Sequence, residues 1–362
     1  MFYHHKYLLC FLLFVSQWGF AICQDNRAYD IACLRTHYAK PTAQWQPPTI
    51  DEGVNWTELA PITHTPAPST PLTELGKSLF FEKALSSNQT IACVSCHDPD
   101  HAFADPRTVS LGVFDRQGKR NSQSLSYLGL DAPTSHGFFW DGRANTLDEQ
   151  VLIPLTDPNE MDITLDSVPT RLVSAGYLPK FQAVFGEHLA DIDISQVAHA
   201  LTTYLHTLTP TPTRFDDFLN GDPTALTDTE ILGLHLFRTK ARCMNCHFGQ
   251  ALTDNQFHNL NQTLAGRKWQ DFGRYANTDN PSDFGKFKTP SLRNLSVSKP
   301  WFHHGLFVNL RGVVAIYNRG MPLPPTKDAP PIAHEDHLDP LIKPLGLSAD
   351  EMDALTAFLM TL

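Results

Sequence analysis

Apolar residues recur at helical spacing near the start of the region that carries most of the sequence pattern. Leu72, Leu75, Leu79 and Phe80 fall on one face of a helix, and Pro71 suits its first turn. Few segments alternate apolar and polar residues with the period of two that is typical of strands. The pattern therefore predicts a mostly α-helical protein with long loops punctuated by proline and glycine.

The C-terminal helix has a start signal of its own. Ser348 and Glu351 have the spacing of a capping box, in which each side chain satisfies the other residue's backbone N–H. We expect this helix to bury four apolar residues, Met352, Leu355, Leu359 and Leu362.

Two apolar segments occur twice along the chain. Leu75-Gly-Lys-Ser-Leu-Phe80 is echoed 157 residues later by Leu232-Gly-Leu-His-Leu-Phe237, and Ala200–Leu208 is echoed 154 residues later by Ala354–Leu362. Repetition at nearly one offset indicates an internal duplication. The sequence therefore predicts two tandem, related domains, at residues 71–210 and 211–362.

The N-terminus, residues 1–23, has the layout of a secretory signal peptide. A basic start precedes a short apolar run from Tyr7 to Val15, and small residues precede the expected cleavage between Ala21 and Gln24. The run is too short to span a bilayer. We therefore expect export to the periplasm and a mature chain without a stable membrane span.

Residues 24–70 are rich in proline and polar residues and show no sustained periodicity, which predicts an extended arm or linker. Cys23 and Cys33 flank the start of this arm. They either pair in an oxidising compartment, provided that Cys23 survives cleavage, or remain free thiols. Lipid modification of Cys23 is a weaker alternative, because Ile22 is large where a small residue is usual.

Composition narrows the possible functions. Apolar residues make up 42% and charged residues 18% of the 362 residues, as in an ordinary globular protein. The formal net charge of −10 argues against a nucleic-acid partner, which a basic surface would attract. Seventeen histidines and seven cysteines point instead to metal or redox chemistry.

The sequence Cys-x-x-Cys-His occurs once in each predicted domain. The two copies are Cys93-Val-Ser-Cys96-His97 and Cys243-Met-Asn-Cys246-His247, 150 residues apart. This spacing is typical of c-type haem, in which both thiols bond to the haem and the histidine ligates iron. A zinc site shared by the two cysteine pairs would need them much closer in sequence. The motifs predict two covalently bound haems.

The surrounding motifs resemble those of the bacterial di-haem cytochrome c peroxidase and MauG superfamily, and of its MauG-like branch in particular. The resemblance covers residues 71–362. The motifs, in order, are Leu75-Gly-x-x-Leu-Phe, Cys93-x-x-Cys-His97, Phe139-Trp-Asp-Gly-Arg143, Leu147-x-Glu-Gln150, Pro158-x-Glu-Met161, Thr289-Pro-Ser-Leu-Arg-Asn294 and Pro300-Trp-Phe-His303.

The resemblance implies that the first haem is the peroxide site and assigns roles to nearby residues. Gln150 and Glu160 match the distal pocket, where the carboxylate moves a proton as the O–O bond breaks. Trp140 matches an indole that relays electrons between the haems. Typical peroxidases place a blocking histidine where this chain has Val113, which implies an iron open to peroxide. His101 and His136 are other histidines of the region, outside that frame.

For the second haem, the resemblance implies one of two distal ligands. Tyr317 stands where typical peroxidases have a ligating methionine, and MauG is similar in having a tyrosine there. A phenolate stabilises oxidised iron, whereas a thioether raises its potential. Met321, one helical turn later, remains the alternative ligand.

Two further expectations come from the resemblance. Asn121, Ser298 and Pro300 match positions that hold a calcium ion between the domains. The MauG exit for oxidising equivalents, a tryptophan two residues before the second motif, is replaced by Ala241. Trp269 and Trp301 are alternative exits.

Three functions follow in order of preference. The first is an enzyme that reacts with hydrogen peroxide at the first haem and oxidises a protein or redox partner through the second. The alternative is a cytochrome c peroxidase that draws electrons from a small cytochrome or cupredoxin. The least favoured is a passive di-haem electron carrier. Both a monomer and a homodimer are compatible with the resemblance.

Overall fold

The fold was taken from a computed structural model, which describes residues 23–25, 28–62, 69–130, 132 and 137–362. Within these residues the chain is mainly helical. The helices are α1 (Ile31–Tyr38), α2 (Pro71–Phe80), α3 (Leu147–Thr156), α4 (Val168–Ser174), α5 (Leu178–Phe185), α6 (Ile194–Leu205), α7 (Arg214–Leu219), α8 (Asp228–Arg238), α9 (Tyr275–Thr278), α10 (Leu310–Asn318) and α11 (Ala349–Leu359).

The described residues contain little sheet. β1 (Gln24–Asp25) pairs with β2 (Ala28–Tyr29), and β3 (Phe257–Asn259) pairs with β4 (Lys286–Lys288), both antiparallel. Long loops join the helices. The prediction of a mostly α-helical protein is confirmed.

The predicted helix starts are also confirmed. Pro71 occupies the first turn of α2, whose N-terminal cap is Thr70. α11 begins with the Ser348 and Glu351 capping box. Leu355, Leu359 and Leu362 are buried as expected, whereas Met352 is only half-buried at the edge of the core.

The first half of the chain is organised around the close packing of α2 against α6. Gly76 lies so near α6 that a Cβ atom there would sit 1.8 Å from the backbone oxygen of Ala200. Leu75, Leu79 and Phe80 enter the same apolar core as residues of α6. Only glycine permits this approach of two backbones, so the Leu-Gly motif fixes the helix pair.

The second half repeats this arrangement with α8 and α11. A Cβ atom on Gly233 would sit 2.1 Å from the backbone oxygen of Ala354. Gly76 and Gly233, like Ala200 and Ala354, occupy matching positions of the repeated segments. Corresponding residues thus make the same contact in both halves.

The N-terminal arm packs on the second half and contains a helix, which differs from the expectation of an extended arm or linker. It contains α1, whose Leu34 and Tyr38 are buried, and it adds Trp45 and Leu59 to the second apolar core. The helix is eight residues long and buries only two of them, which is too little to produce a detectable period. The N-terminal arm and the second half of the chain therefore share one apolar core.

A disulfide bond lies at the start of the arm. Cys23 and Cys33 are bonded, with their Cα atoms 5.3 Å apart. The predicted signal sequence up to Ile22, including the cleavage region at Ala21, lies outside the described residues. None of the helices in the described ranges is both long enough and apolar enough to span a bilayer.

Candidate haem-binding centres

The first Cys-x-x-Cys-His motif forms a tight 3₁₀ turn, Cys93–Ser95, followed by Cys96 and His97. Nδ1 of His97 lies 3.0 Å from the backbone oxygen of Phe103. A carbonyl oxygen only accepts hydrogen bonds, so Nδ1 carries the proton and Nε2 keeps its lone pair for a metal. Burial lowers the pKa of His97, which keeps the ring neutral as ligation requires.

The thiols of the first motif are free and belong to partly buried residues. Burial raises the pKa of Cys93 to about 12 and that of Cys96 to about 11. An apolar setting that disfavours a thiolate suits an uncharged thioether. The residues present therefore fit a covalently attached haem.

The second motif repeats this design. Its turn is Cys243–Asn245, and Nδ1 of His247 lies 2.9 Å from the backbone oxygen of Leu252. Burial lowers the pKa of His247 and raises that of Cys243 to about 12. Both proximal histidines are thus held by a backbone carbonyl a few residues downstream, and both motifs fit a haem.

Glu160, predicted as a distal-pocket residue, lies in the turn after α3 and influences the first motif electrostatically. Burial raises the pKa of Glu160 to about 7; Asp157 adds to this rise, and Arg143 opposes it. The Glu160 carboxylate acts electrostatically on both Cys93 and Cys96, which places it close to the two thiols. A carboxyl group with this pKa can accept and donate a proton near neutral pH.

The segment that faces Glu160 offers no metal ligand at the position of the blocking histidine. Val113 is fully buried there, and its backbone N–H donates to the backbone oxygen of Glu160 at 2.8 Å. Gly112 lies so close that a Cβ atom would be 2.0 Å from the backbone oxygen of Asn159. The two loops are therefore packed directly against each other, and the buried side chain at this position is aliphatic.

The remaining candidates of the first centre differ in position. Gln150 is half-buried on α3, and that helix leads into the turn that carries Glu160. His101 pairs with Asp98 at 2.9 Å, and both side chains are more than one third exposed. His136 lies outside the described residues. Gln150 and Glu160 thus lie on α3 and on the turn that follows it, whereas His101 is partly exposed to solvent.

A single cavity contains the second motif and its candidate distal ligand. Cys243, Cys246, His247 and Tyr317 all line it. Burial and the two cysteines raise the pKa of Tyr317 above its usual value, so the phenol is protonated unless a cation lies against it. Met321 is fully buried outside the lining of this cavity. Of the two candidate ligands, Tyr317 is the one that shares the cavity with His247.

Trp140 lies in the wall of the same cavity, between the two halves. It is 8% exposed, and its Nε1 donates to the backbone oxygen of Asn121 at 2.8 Å. The centroid of its ring lies 6.3 Å from that of His303, which in turn stacks on Phe287 at 3.5 Å. The indole is therefore fixed in an aromatic layer beside the second centre.

The predicted calcium residues also meet at this cavity. Asn121, Ser298 and Pro300 all line it, although they come from both halves of the chain. Nδ2 of Asn121 donates to the backbone oxygen of Arg107 at 2.9 Å, so the side chain is already oriented.

Another cluster of potential metal ligands lies at the second motif. In the described part of the chain, the one group of three or more close His, Cys, Asp or Glu side chains is Cys246, Asp254 and His258. Burial alone would lower the pKa of His258, but Asp254 and Asp339 raise it to about 12. The histidine is thus an imidazolium clamped by two carboxylates, which does not suit it as a metal ligand.

An ion-pair network that the sequence did not reveal joins the two halves. Arg120 donates to Asp271 at 2.6 Å and to Asp141 at 2.5 Å, and all three side chains are at least mostly buried. Asp141 belongs to the Phe-Trp-Asp-Gly-Arg motif. Neither Arg120 nor Asp271 lies in a motif that the sequence analysis identified. The network supports the wall of the cavity next to Trp140.

The N-terminal arm covers the second motif. The backbone N–H of Asp51 donates to Oδ1 of Asn245 at 2.7 Å, and the Asp51 carboxylate pairs with Arg242. Ala241, where MauG has its exit tryptophan, is 4% exposed. Of the two alternative exits, Trp301 lines the cavity and Trp269 does not.

Similarity to known proteins extends over most of the chain. A family model described as di-haem cytochrome c peroxidase matches residues 70–224. The methylamine utilization protein MauG of Methylophilus methylotrophus is 35% identical over 262 residues, which are 70% of this chain and 75% of that protein. The cytochrome-c peroxidase IdrP1 of Pseudomonas sp. (strain SCT) is 31% identical and covers 84% of this chain and 85% of its own.

Solved structures agree with these matches. The crystal structure of a MauG-like protein associated with microbial copper homeostasis is 29% identical, with a TM-score of 0.71. The match covers 88% of this chain and 93% of that one. The fold is therefore shared along nearly the whole length.

Proposed function

The chain belongs to the di-haem cytochrome c peroxidase and MauG family of haem oxidoreductases, and we propose that it is a MauG-like enzyme of the periplasm. Hydrogen peroxide is its oxidant, and a protein or redox partner is its electron donor. The observation that carries the proposal is the pairing of Glu160 with Val113 on the distal side of the first motif. One residue supplies a proton carrier, and the other leaves the iron position open.

Each motif holds one covalent c-type haem in this proposal. Cys93 and Cys96 bond to the first and Cys243 and Cys246 to the second; His97 and His247 are the proximal ligands. The carbonyl bonds to Nδ1 of both histidines and the free thiols of both motifs support this assignment. The bound haems supply the iron at which peroxide is reduced and the redox centre that stores oxidising equivalents.

Glu160 moves the proton. At neutral pH a substantial fraction of this carboxyl is ionised, because its pKa is about 7. The ionised group accepts a proton from incoming peroxide, and the protonated group returns it to the departing oxygen as water forms. Gln150 orients peroxide by hydrogen bonding, and Val113 offers no ligand to the iron.

Tyr317 is the distal ligand of the second haem, and Trp140 connects the two centres. The shared cavity of Tyr317 and His247 supports this choice over Met321. Ligation by a phenolate offsets the raised pKa of the buried phenol, because the metal replaces the proton. An anionic ligand would stabilise the oxidised state of the second centre.

The remaining assignments are parts of the same proposal. Asn121, Ser298 and Pro300 hold a calcium ion at the boundary between residues 71–210 and 211–362, which arose by duplication. The matching contacts of Gly76 and Gly233 support the duplication. The Cys23–Cys33 disulfide supports an oxidising compartment.

A second candidate function is a cytochrome c peroxidase that detoxifies hydrogen peroxide with electrons from a small cytochrome or cupredoxin. A relative named as a cytochrome-c peroxidase matches over 84% of the chain, and a MauG protein matches over 93% of it. This function predicts Met321 on the second haem and rapid turnover with a reduced small cytochrome. A passive carrier does not fit a family of enzymes.

The test is an EPR and optical spectrum of the ferric holoprotein before and after one equivalent of hydrogen peroxide. We expect a high-spin signal from the first haem beside a low-spin signal from the second, and a prompt response to peroxide. Two low-spin signals that respond only after reduction would instead indicate the cytochrome c peroxidase.

The ligand of the second haem is tested separately with Tyr317→Phe and Met321→Leu. We expect Tyr317→Phe to change the low-spin EPR signal and raise the reduction potential of the second haem, and Met321→Leu to leave both unchanged. The reverse result would assign Met321 as the ligand.

A further inference from the structure

A row of aromatic rings runs from the second core to the edge of the protein. The ring centroids of Trp45 and Tyr38 lie 4.9 Å apart, those of Tyr38 and His235 6.0 Å, and those of His235 and Tyr29 5.4 Å. Trp45 and Tyr38 are buried, whereas Tyr29 is half-buried and its hydroxyl faces Glu351. The row thus leads from the interior towards solvent.

Tyr38 has a proton acceptor inside this row. Its hydroxyl oxygen lies 3.0 Å from Nδ1 of His235, and the two residues are 3% and 6% exposed. Burial, together with the positive charge of Arg238, lowers the pKa of His235 to about 4. The imidazole is therefore neutral at pH 7, and its Nδ1 is able to accept the phenolic proton.

The row shares its apolar core with the second haem-binding centre. Tyr38 and Trp45 belong to the same apolar core as Phe237, Ala241 and Met244. Phe237 and Ala241 line the cavity that contains His247. α8 carries both His235 and Phe237, so one helix separates the row from the cavity.

We propose that Tyr38 is a redox-active residue that relays oxidising equivalents from the second centre to the surface at Tyr29, with His235 as its proton acceptor. This inference rests on the proposed peroxide-dependent function. It gives the chain an exit in place of the tryptophan that Ala241 replaces, and it assigns the N-terminal arm a part in electron transfer.

The step balances in electrons and protons. Tyr38 gives one electron to the peroxide-oxidised haem pair, which is reduced by one electron. The phenolic proton passes from Oη to Nδ1 of His235, which leaves a neutral tyrosyl radical beside an imidazolium. An electron from an external donor, passed through Tyr29, reduces the radical while His235 returns the proton.

The chain offers a matched control in its first half. The hydroxyl of Tyr177 donates to the backbone oxygen of Ser78 at 3.1 Å. The side chain of Tyr177 lies in the apolar core of the first half, outside the row of rings that leads from Trp45 to Tyr29. Tyr177→Phe therefore removes the same hydroxyl from a tyrosine that takes no part in the proposed relay.

The experiment is rapid-freeze EPR of the ferric holoprotein after hydrogen peroxide, with optical spectra of the same samples. The proteins are wild type with and without ring-deuterated tyrosine, Tyr38→Phe, His235→Asn and Tyr177→Phe. We expect an organic radical whose signal narrows on deuteration, disappears in Tyr38→Phe and persists in Tyr177→Phe. In His235→Asn, which offers a hydrogen-bond acceptor but no base, we expect at least a several-fold lower yield.

The outcomes separate the relay from the proposed function. If the haem spectra respond to peroxide but the radical is absent or survives in Tyr38→Phe, the relay is wrong and the peroxide chemistry stands. If the haem spectra do not respond, the proposed function fails and the relay falls with it. An equal radical yield in His235→Asn would contradict the role of His235 as proton acceptor.

Discussion

The two haem-binding motifs share a scaffold and differ in the groups that face it. In both, a 3₁₀ turn and the cysteine after it present two partly buried thiols, and a backbone carbonyl holds Nδ1 of the motif histidine. The first motif has Glu160 and the buried Val113 as its candidate distal residues, whereas Tyr317 shares a cavity with the second.

The two motifs therefore have the same attachment geometry and differ in the residues that face them. The proximal side sets the attachment of the group and is the same in both halves. In the proposed function the distal side decides whether a small molecule reaches the metal, and the first half supplies a carboxyl group whose pKa is about 7 and a valine that offers no ligand. The arm adds a further asymmetry, because it covers the second motif through Asn245.

Removal of the proposed proton carrier, Glu160, should affect the first centre most. Glu160→Gln should lower the rate of reaction with hydrogen peroxide by about 100- to 10,000-fold, because the amide does not accept the peroxide proton. Since ionised Glu160 is the active form, the wild-type rate should rise with pH through about 7. Stopped-flow optical spectroscopy from pH 5.5 to 8.5 measures both effects.

The matched control for this prediction is Glu149→Gln. Glu149 is exposed on α3 and accepts a hydrogen bond from the backbone of Asn145, which an amide oxygen also accepts. The rate and its pH dependence should be unchanged in this variant. A rise through pH 7 that persists in Glu160→Gln would contradict the assignment.

The next prediction concerns the ion pairs between the halves. Arg120→Met should lower the free energy of unfolding by about 3–5 kcal/mol, because it leaves the mostly buried Asp271 without its cation. Burial alone would raise the pKa of Asp271, but Arg120 holds it below its usual value. The stabilisation is therefore present above the pKa of an unfolded aspartate and is lost as the pH falls through the folded value.

Urea unfolding at pH 7 and in acid measures this effect. The deficit of Arg120→Met should be largest at pH 7 and should shrink as the aspartate becomes protonated. Addition of Asp271→Asn to Arg120→Met should recover part of the lost stability, since no buried charge is then left unpaired. An equal deficit at all pH values would show that lost packing, not charge, is the cause.

The scaffold shared by the halves is tested by adding one methyl group to each. Gly76→Ala and Gly233→Ala should each lower the free energy of unfolding by about 1–3 kcal/mol, because the new Cβ would overlap a backbone oxygen of the facing helix. Gly312→Ala on α10 is the control, with its nearest neighbour 3.9 Å away. It should be neutral or stabilising, because alanine favours helix.

Denaturation by urea compares the three variants. Similar losses for Gly76→Ala and Gly233→Ala would support equivalent helix pairs. A loss confined to one of them would show that the two halves are packed differently despite their matching segments.

The local parts of the molecule were predictable from sequence because their signals are local. Pro71 in a first turn and the Ser348 and Glu351 capping box act within one helical turn. α1 escaped prediction because its buried face consists of Leu34 and Tyr38 alone. Its position depends on the second core, which the pattern of the arm does not contain.

The same distinction holds at the candidate sites. The thiols and proximal histidines lie within five consecutive residues, so their spacing alone predicts the chemistry. Arg120 and Asp271 are 151 residues apart, and only the packing of the halves makes them partners. The contact between the arm and α8 is similar, because it joins Tyr38 and Trp45 to His235. These residues are distant in sequence, so no hydrophobic pattern predicts the contact.

A small loss of stability is expected from a change at one matched position of the two motifs. Asn245 of the second motif corresponds to Ser95 of the first. Asn245→Ala removes a hydrogen bond from Asp51 of the arm and should cost about 0.5–1.5 kcal/mol. Ser95→Ala removes a bond from Ala92 within its own turn.

Hydrogen exchange of residues 45–62 distinguishes these variants better than global unfolding does. Asn245→Ala should increase exchange in this segment, since the arm loses one of its anchors to the second motif. Ser95→Ala should leave the segment unchanged, because its hydroxyl bonds only within the first motif's turn. Equal protection in both variants would show that the ion pairs of Asp51 with Arg242 and Lys343 hold the arm without Asn245.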